Sequence, residues 1–146
     1  MHIRTLETGD LDTIAEIFRS AYAEKPWNYG WQESESKKYL GEYFAASGFI
    51  GFVIEDENRA MGAILCHRRT WWTGDQLAID ELFVVPGQQG KGYGKALLAK
   101  VHEYCLLHEI DMLTLMTNKH APAFGFYLKN EFTLVEHFAF LFRGVM

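Results

Sequence analysis

The stretch FVVPGQQGKGYGKALL, residues 83–98, constrains this chain more than any other part of it. A run of strand formers gives way to Gly87, Gly90, Gly92 and Gly94, with Lys91 and Lys95 among them, and a strong helix former follows at once. Glycine reaches positive φ without a steric penalty and lets a ligand approach the main chain closely. The start of a helix presents unpaired N–H groups and a partial positive charge. Strand, glycine loop and helix in that order therefore read as an anion seat, and the two lysines suit a pyrophosphate better than a single carboxylate. The alternative is a tight strand-to-helix turn with no ligand, but three alternating glycines exceed what a turn requires. Two common phosphate motifs fail on spacing. A P-loop built on Gly94 and Lys95 needs glycine at 89 and Ser or Thr at 96, where the chain has Gln89 and Ala96. The dinucleotide pattern G-x-G-x-x-G, started at Gly90 and Gly92, meets Lys95 where its third glycine belongs.

The rest of the chain supplies a consistent frame. HIRTL reads as a short strand, after which Thr8 or Asp10 offers a capping oxygen to a helix with Leu11, Ile14, Ala15, Phe18 and Tyr22 on one stripe. Pro26 and Gly30 break that helix in a loop rich in aromatics. A second helix is expected over about residues 32–46, with Tyr39, Leu40, Tyr43 and Phe44 inward. Two strands joined by a polar turn at residues 56–59, then a third ending near Val85, form an antiparallel meander. Leu97, Val101, Tyr104 and Cys105 predict a helix over about residues 92–108. DMLTLMT reads as a strand, APAFGFYLKN as a shorter helix, and FTLVEHFAFLFRG as closing strands. The order β-α-α-β-β-β-α-β-α-β(β) implies an α+β (α/β) architecture, with one crossover between parallel strands inside a mostly antiparallel sheet.

At 146 residues the chain is expected to form a single domain, residues 1–146. Hydrophobic residues at 49% and aromatics at 15% exclude a disordered chain and favour a filled core or an aromatic-lined cavity. A net charge of −5 excludes nucleic acid as the main partner, since phosphate binding needs a basic surface, and favours a cationic, amine-bearing one. Cys66 and Cys105 make neither a metal pair nor a disulfide framework and are read as buried free thiols; no metal is expected. No leader and no long apolar run are visible, so neither secretion nor a membrane is expected, and the cytoplasm is the default.

Gln89-Gly90-Lys91-Gly92-Tyr93-Gly94, preceded by LFVVP and followed by KALL, resembles the acetyl-CoA motif of the GNAT family of N-acetyltransferases, (Q/R)-x-x-G-x-(G/A). The element order resembles the same family over the whole chain, and APAFGFYLKNEF is similar to its second signature. The PWN…W loop and the IDELFV strand are similar to bacterial aminoglycoside 6′-acetyltransferase-like members. The resemblance implies the GNAT fold, a mixed sheet of about six to seven strands flanked by four helices, and transfer of acetyl from acetyl-CoA to a primary amine by direct attack in a ternary complex.

Carried over residue by residue, it implies that Leu82, Phe83 and Val84 pair by main chain with the pantetheine arm, where the strand opens away from its parallel neighbour. Gln89, Gly90, Lys91, Gly92, Tyr93, Gly94 and Lys95 then surround the pyrophosphate. Tyr127 stands at the position of the family's general acid; a packed core tyrosine is the competing reading. Seven residues before it many members have an asparagine; here His120 stands there, with Asn118 two residues earlier, and either is a substitute in cofactor binding. The glycine that precedes the family's final phenylalanine is Glu131 here, so Asn130 is expected to take the left-handed conformation that ends the helix.

An alkyl ammonium with a pKa of about 10.4 leaves only roughly one molecule in a thousand nucleophilic at neutral pH, so a base is needed. Asp80 and Glu81 are adjacent on one strand and by alternation point to opposite faces, which leaves one of them for the acceptor; Asp80 is favoured, with an ion pair to Arg68 or Arg69 as the structural alternative. Trp27, Asn28, Trp31, Trp71 and Trp72 are the candidate acceptor wall, since tryptophan faces suit cations; capping the core or filling a homodimer interface is the alternative. His67 and His137 are read as satisfied histidines rather than catalysts. The acceptor expected is a small amine, polyamine- or aminoglycoside-like. Acetylation of protein amines and a non-catalytic acyl-CoA sensor are the rival readings.

Overall fold

A computed structural model describes all 146 residues, which form two compact units, Met1–Met116 and Thr117–Met146. The first holds β1 (His2–Thr5), a 3-10 turn (Thr8–Asp10), α1 (Leu11–Ala23), α2 (Glu33–Ala45), β2 (Phe49–Asp56), β3 (Arg59–Arg69), β4 (Gln76–Val84), α3 (Tyr93–Leu107) and β5 (Met112–Leu115). The second holds α4 (Pro122–Lys129). The sheet runs β1-β2-β3-β4-β5, antiparallel except for β4 and β5, which are parallel and joined through α3 as such a pair requires.

Local chemistry explains the meander. Glu57 and Asn58 turn β2 into β3 with φ of 51° and 62°, and two successive left-handed residues match the twist of an antiparallel pair. Alternation along the strands then divides the core. Val53, Ala63, Leu65 and Phe83 join Ile14, Ala15, Ile17 and Phe18 of α1 and Leu40 of α2 in one buried cluster. Phe52, on the opposite parity, meets Tyr104 of α3, their ring centres 6.1 Å apart. Cys66 and Cys105 are buried free thiols, and burial pushes both pKa values up. The capping oxygen expected of Asp10 is used elsewhere: its carboxylate accepts from the Glu7 N–H and from both ends of the Arg4 guanidinium, which ties β1 to the start of α1 and holds the Asp10 pKa down. No helix is long and apolar enough to cross a membrane.

Two expectations about the C-terminal unit are corrected. The closing strands do not form, so the sheet has five strands; residues 132–144 carry one turn, in which the Phe138 N–H donates to the Val135 carbonyl. The alternation of Phe138, Phe140 and Phe142 is a real period-two pattern, but alternation without a ladder partner specifies a face and not a strand. At the end of α4, Asn130 keeps φ at −104° and Glu131 takes +71°, because the left-handed position falls one residue past the cap. The Phe132 N–H then closes the end by donating to the Tyr127 carbonyl. A side chain in that conformation costs about 1 kcal/mol. Glu131→Gly should therefore raise stability by about that amount, measured by urea unfolding monitored at a probe in the C-terminal unit.

Candidate active site

The loop between β4 and α3 shows why this chain needs glycine there. Gly87, Gly90 and Gly92 have φ of 81°, 82° and 88°, and Gly92 is the residue from which α3 starts. A Cβ built on Gly90 or Gly92 meets nothing within 4 Å, so the requirement is conformational and the space over the backbone is open. No side chain caps α3, which leaves its first-turn N–H groups to a ligand or to water. Gln89 braces the loop, its carboxamide oxygen accepting from the Gly87 N–H, and Lys91 donates to the Gln88 side chain at 2.8 Å. Tyr93 departs from its expected role: its ring is buried and its hydroxyl donates to Asp56 at 2.8 Å, so only its main chain belongs to the loop. Gly94 lies in the first turn of α3, followed there by Lys95.

Upstream, β4 stays paired with β3 as far as Val84, whereas its parallel pairing with β5 stops at Ile79 and Leu115. From Asp80 through Leu82 and Phe83 to Val84, the edge of β4 that faced β5 has no ladder partner. The two strands part where the resemblance implied a gap, and the gap leads to the glycine loop.

The same point carries a β-bulge. Cys66 lies opposite Ile79 and Leu65 opposite Glu81, which leaves Asp80 as the extra residue. The bulge overturns the expectation that Asp80 and Glu81 face opposite ways. Glu81 shares a face with its partner Leu65, a member of the α1–α2 cluster, and accepts from Tyr39 of α2 at 2.6 Å and from Tyr22 of α1 at 3.1 Å. Asp80 reaches the same side, with its Oδ2 2.6 Å from Nδ1 of His67, which is two residues from Leu65 on β3. Neither carboxylate pairs with Arg68, whose guanidinium is held by Asp75 at 2.7 Å.

Burial pushes the Glu81 pKa up, and its two tyrosine donors, which favour the charged form, pull against that. Tyr39 also contacts the Tyr43 hydroxyl at 2.9 Å, and burial raises the pKa of both phenols. No buried side-chain polar atom in this network lacks a partner.

Further aromatic rings pack on the two tyrosines that hold Glu81. Trp31 packs on Phe18 and Tyr39 at 5.3 and 5.0 Å, Trp27 meets Tyr22 edge-on at 5.3 Å, and Tyr29 stacks on Tyr22 at 5.9 Å. Asn28, Tyr29, Gly30, Trp31 and Glu35 line an open groove of about 450 Å³ on the outside of this cluster. Of the five residues expected to form the acceptor wall, Trp27, Asn28 and Trp31 are thus brought together. Trp71 and Trp72 are not; they stand exposed in the turn between β3 and β4. Sequence reasoning missed Tyr22 and Tyr39 as partners of Glu81, since both sit on stripes that read as apolar. It also set His67 aside.

In the C-terminal unit, Tyr127 lies on α4 with its ring against Phe126 and Phe132, at 5.4 and 5.5 Å. The Asn118 side-chain oxygen accepts from the His120 N–H at 2.8 Å, forming a turn just before α4. His137 packs against Phe138.

A family model described as "Acetyltransferase (GNAT) family" matches residues 11–132. No curated protein matches the chain significantly in sequence. Among solved structures, a possible acetyltransferase from Clostridium difficile 630 superposes with a TM-score of 0.83 at 17% identity, covering 99% of this chain and 98% of that one. An aminoglycoside acetyltransferase from an uncultured soil metagenomic sample, in complex with sisomicin, superposes with a TM-score of 0.78 at 18% identity, over 99% and 96% of the two chains. A transcriptional regulator from Bacillus halodurans C-125 gives 0.78 at 16%, over 98% and 99%. At these identities the likeness is one of fold.

Proposed function

The chain belongs to the acetyltransferase (GNAT) family, and from that membership we propose that it moves the acetyl group of acetyl-CoA to a primary amine of a small, cationic acceptor. The observation that carries the proposal is the meeting of two features. An uncapped helix start stands behind glycines with open space over them, and a β4 edge loses its partner just before them. The first suits a pyrophosphate, held by N–H groups between Gly90 and Gly94 with Lys91 and Lys95 beside it. The second suits an extended amide-bearing arm laid along Leu82, Phe83 and Val84, as a ligand that continues the sheet would be. The cofactor supplies an activated thioester; the protein positions it and manages protons.

Proton removal is assigned to the acceptor side of β4, where the bulge brings Asp80, on His67, and Glu81, on Tyr39, to one face. In this reading Asp80 takes part in deprotonation, while Glu81, framed by Tyr22, Tyr39 and Trp31, holds the acceptor's positive charge. The sisomicin-bound neighbour favours a polyamine-like acceptor with several amino groups, as do the net charge of −5 and the Glu35 carboxylate in the groove. Asn118 and His120 are assigned to the cofactor side, and Tyr127 to donation of a proton to the departing sulfur, on their match to the family's second signature.

The test is release of CoA thiol over a panel of polyamines, aminoglycosides, amino acids and peptide N-termini, alongside calorimetry with acetyl-CoA. Binding at micromolar strength and turnover on small polyamine-like amines are expected. Absence of any heat with acetyl-CoA or CoA would overturn the cofactor site. Turnover confined to peptides would make this a protein acetyltransferase, and binding without turnover would make it a sensor. Tyr127→Phe should lower kcat by about 100-fold while the Kd for acetyl-CoA stays within about threefold; an unchanged kcat removes Tyr127 from the acid role.

A further inference from the structure

We propose that His67 is the base that takes the acceptor's proton and that Asp80 acts through it, as a positioning residue; this rests on the acetyl-transfer reading above. A carboxylate can only accept, so the 2.6 Å contact between Asp80 Oδ2 and His67 Nδ1 places the proton of a neutral imidazole on Nδ1 and leaves the lone pair on Nε2. That is the tautomer a base needs. Asp80 is the extra residue of the bulge, and His67 lies across from Ala78, one step from the point where β4 and β5 part. The bulge therefore does two things at once. It opens the strand edge, and it turns a carboxylate back onto the ring of the neighbouring strand.

The environment supports the assignment. The His67 side chain is 29% exposed and that of Asp80 16%, so the ring is reachable while its partner is shielded. The charged or titratable groups gathered round the pair are Glu81 beside Asp80 on β4, Tyr43 from α2, whose phenol senses both carboxylates, and Cys66, Arg68 and Arg69 on β3. Arg68 is neutralised by Asp75, and β2 offers only Phe49 opposite His67. An aspartate alone, with an ordinary pKa of about 3.9, is a far weaker base for an alkyl ammonium than an imidazole at about 6.5.

The proton count closes. His67 Nε2 removes one proton from the ammonium and later passes it to water. The freed amine forms the C–N bond at the thioester carbonyl. As the C–S bond breaks, the sulfur leaves with the bonding pair and takes a proton from the acid assigned above, while the nitrogen gives its second proton to water, which restores that acid; one proton is released overall.

The experiment compares wild type, His67→Gln, His67→Ala, Asp80→Asn and Glu81→Gln by CoA release across pH 5.5–9.5, with acetyl-CoA affinity read separately by calorimetry. His67→Gln should lower kcat by at least about 100-fold with acetyl-CoA affinity unchanged, and should abolish the loss of activity on the acid side. Asp80→Asn, whose amide can donate to Nδ1 and so favour the other tautomer, should lower kcat by about tenfold or more with acceptor KM and acetyl-CoA affinity unchanged. Added imidazole should restore part of the activity of His67→Ala. A His67→Gln protein that keeps more than half its kcat with the same acid limb overturns the assignment while leaving the transferase reading intact. A wild-type protein that binds acetyl-CoA and acetylates no amine overturns both.

Discussion

Gly92→Val is expected to reduce acetyl-CoA affinity by at least about 100-fold, beyond the range of ordinary calorimetry, in a protein that still folds. Gly92 sits at φ 88° with nothing within 4 Å of a built Cβ, so the Cβ itself meets no neighbour. Two other effects decide the result. A β-branched residue resists the left-handed region more strongly than the usual cost of about 1–2 kcal/mol, which reorients the peptide groups that open α3. Its side chain also fills the open space through which an anion would reach those N–H groups. Gly92→Ala separates the two effects, keeping most of the conformational cost and little of the bulk, and an intermediate loss of about tenfold is expected. The thermal midpoint of Gly92→Val should fall by only a few degrees, because α3 is held by Tyr93, Leu97, Leu98, Val101 and Cys105 in the core and not by Gly92. Wild-type affinity in the valine protein would mean that the phosphates lie elsewhere.

That loop is the part of the molecule most legible from the sequence, for a physical reason. Positive φ at a helix start is a backbone demand that only glycine meets cheaply, so the conformation writes itself into residue type. The two-residue turn at Glu57 and Asn58 and the apolar stripes of α1 and α3 are legible in the same way, through local chemistry and periodicity. The bulge at Asp80 is not. It is a relation between β3 and β4, and neither Asp80 nor its neighbours carry the glycine that marks some bulges. Without it, alternation assigns Asp80 and Glu81 to opposite faces and hides the partnership of His67. The tyrosine partners of Glu81 were hidden for a related reason, since Tyr22 and Tyr39 present apolar rings to a stripe and polar tips to whatever the fold brings near them. The residues of the C-terminal alternation were legible as a pattern, but a strand is a property of two segments.

Glu81→Gln should stabilise the protein at neutral pH and disable it for cationic acceptors, two changes of opposite sign from one substitution. Burial raises the Glu81 pKa above its ordinary value of 4.5. For such a group the stabilising contribution is complete below pH 4.5 and is lost as pH rises through the folded-state pKa, because the folded protein then holds a charge that the unfolded chain would hydrate. Glutamine keeps one oxygen to accept from one of the two tyrosine hydroxyls, which bond different oxygens of the carboxylate, offers the other an N–H to accept, and removes the charge. The expected gain at pH 8 is about 1 kcal/mol, or roughly 2–4 °C in Tm, and it should vanish when the comparison is repeated below pH 4.5. The KM for a polyamine acceptor should rise by about tenfold or more, with a smaller change in kcat, since the lost interaction is with a bound positive charge. A half-buried carboxylate whose charge burial disfavours, and which nevertheless accepts from two hydroxyls, has a reason to be there other than folding. If Glu81→Gln lowers Tm at pH 8 and leaves KM unchanged, the carboxylate serves the packing of α1 and α2 against β4, and the acceptor's charge is held elsewhere.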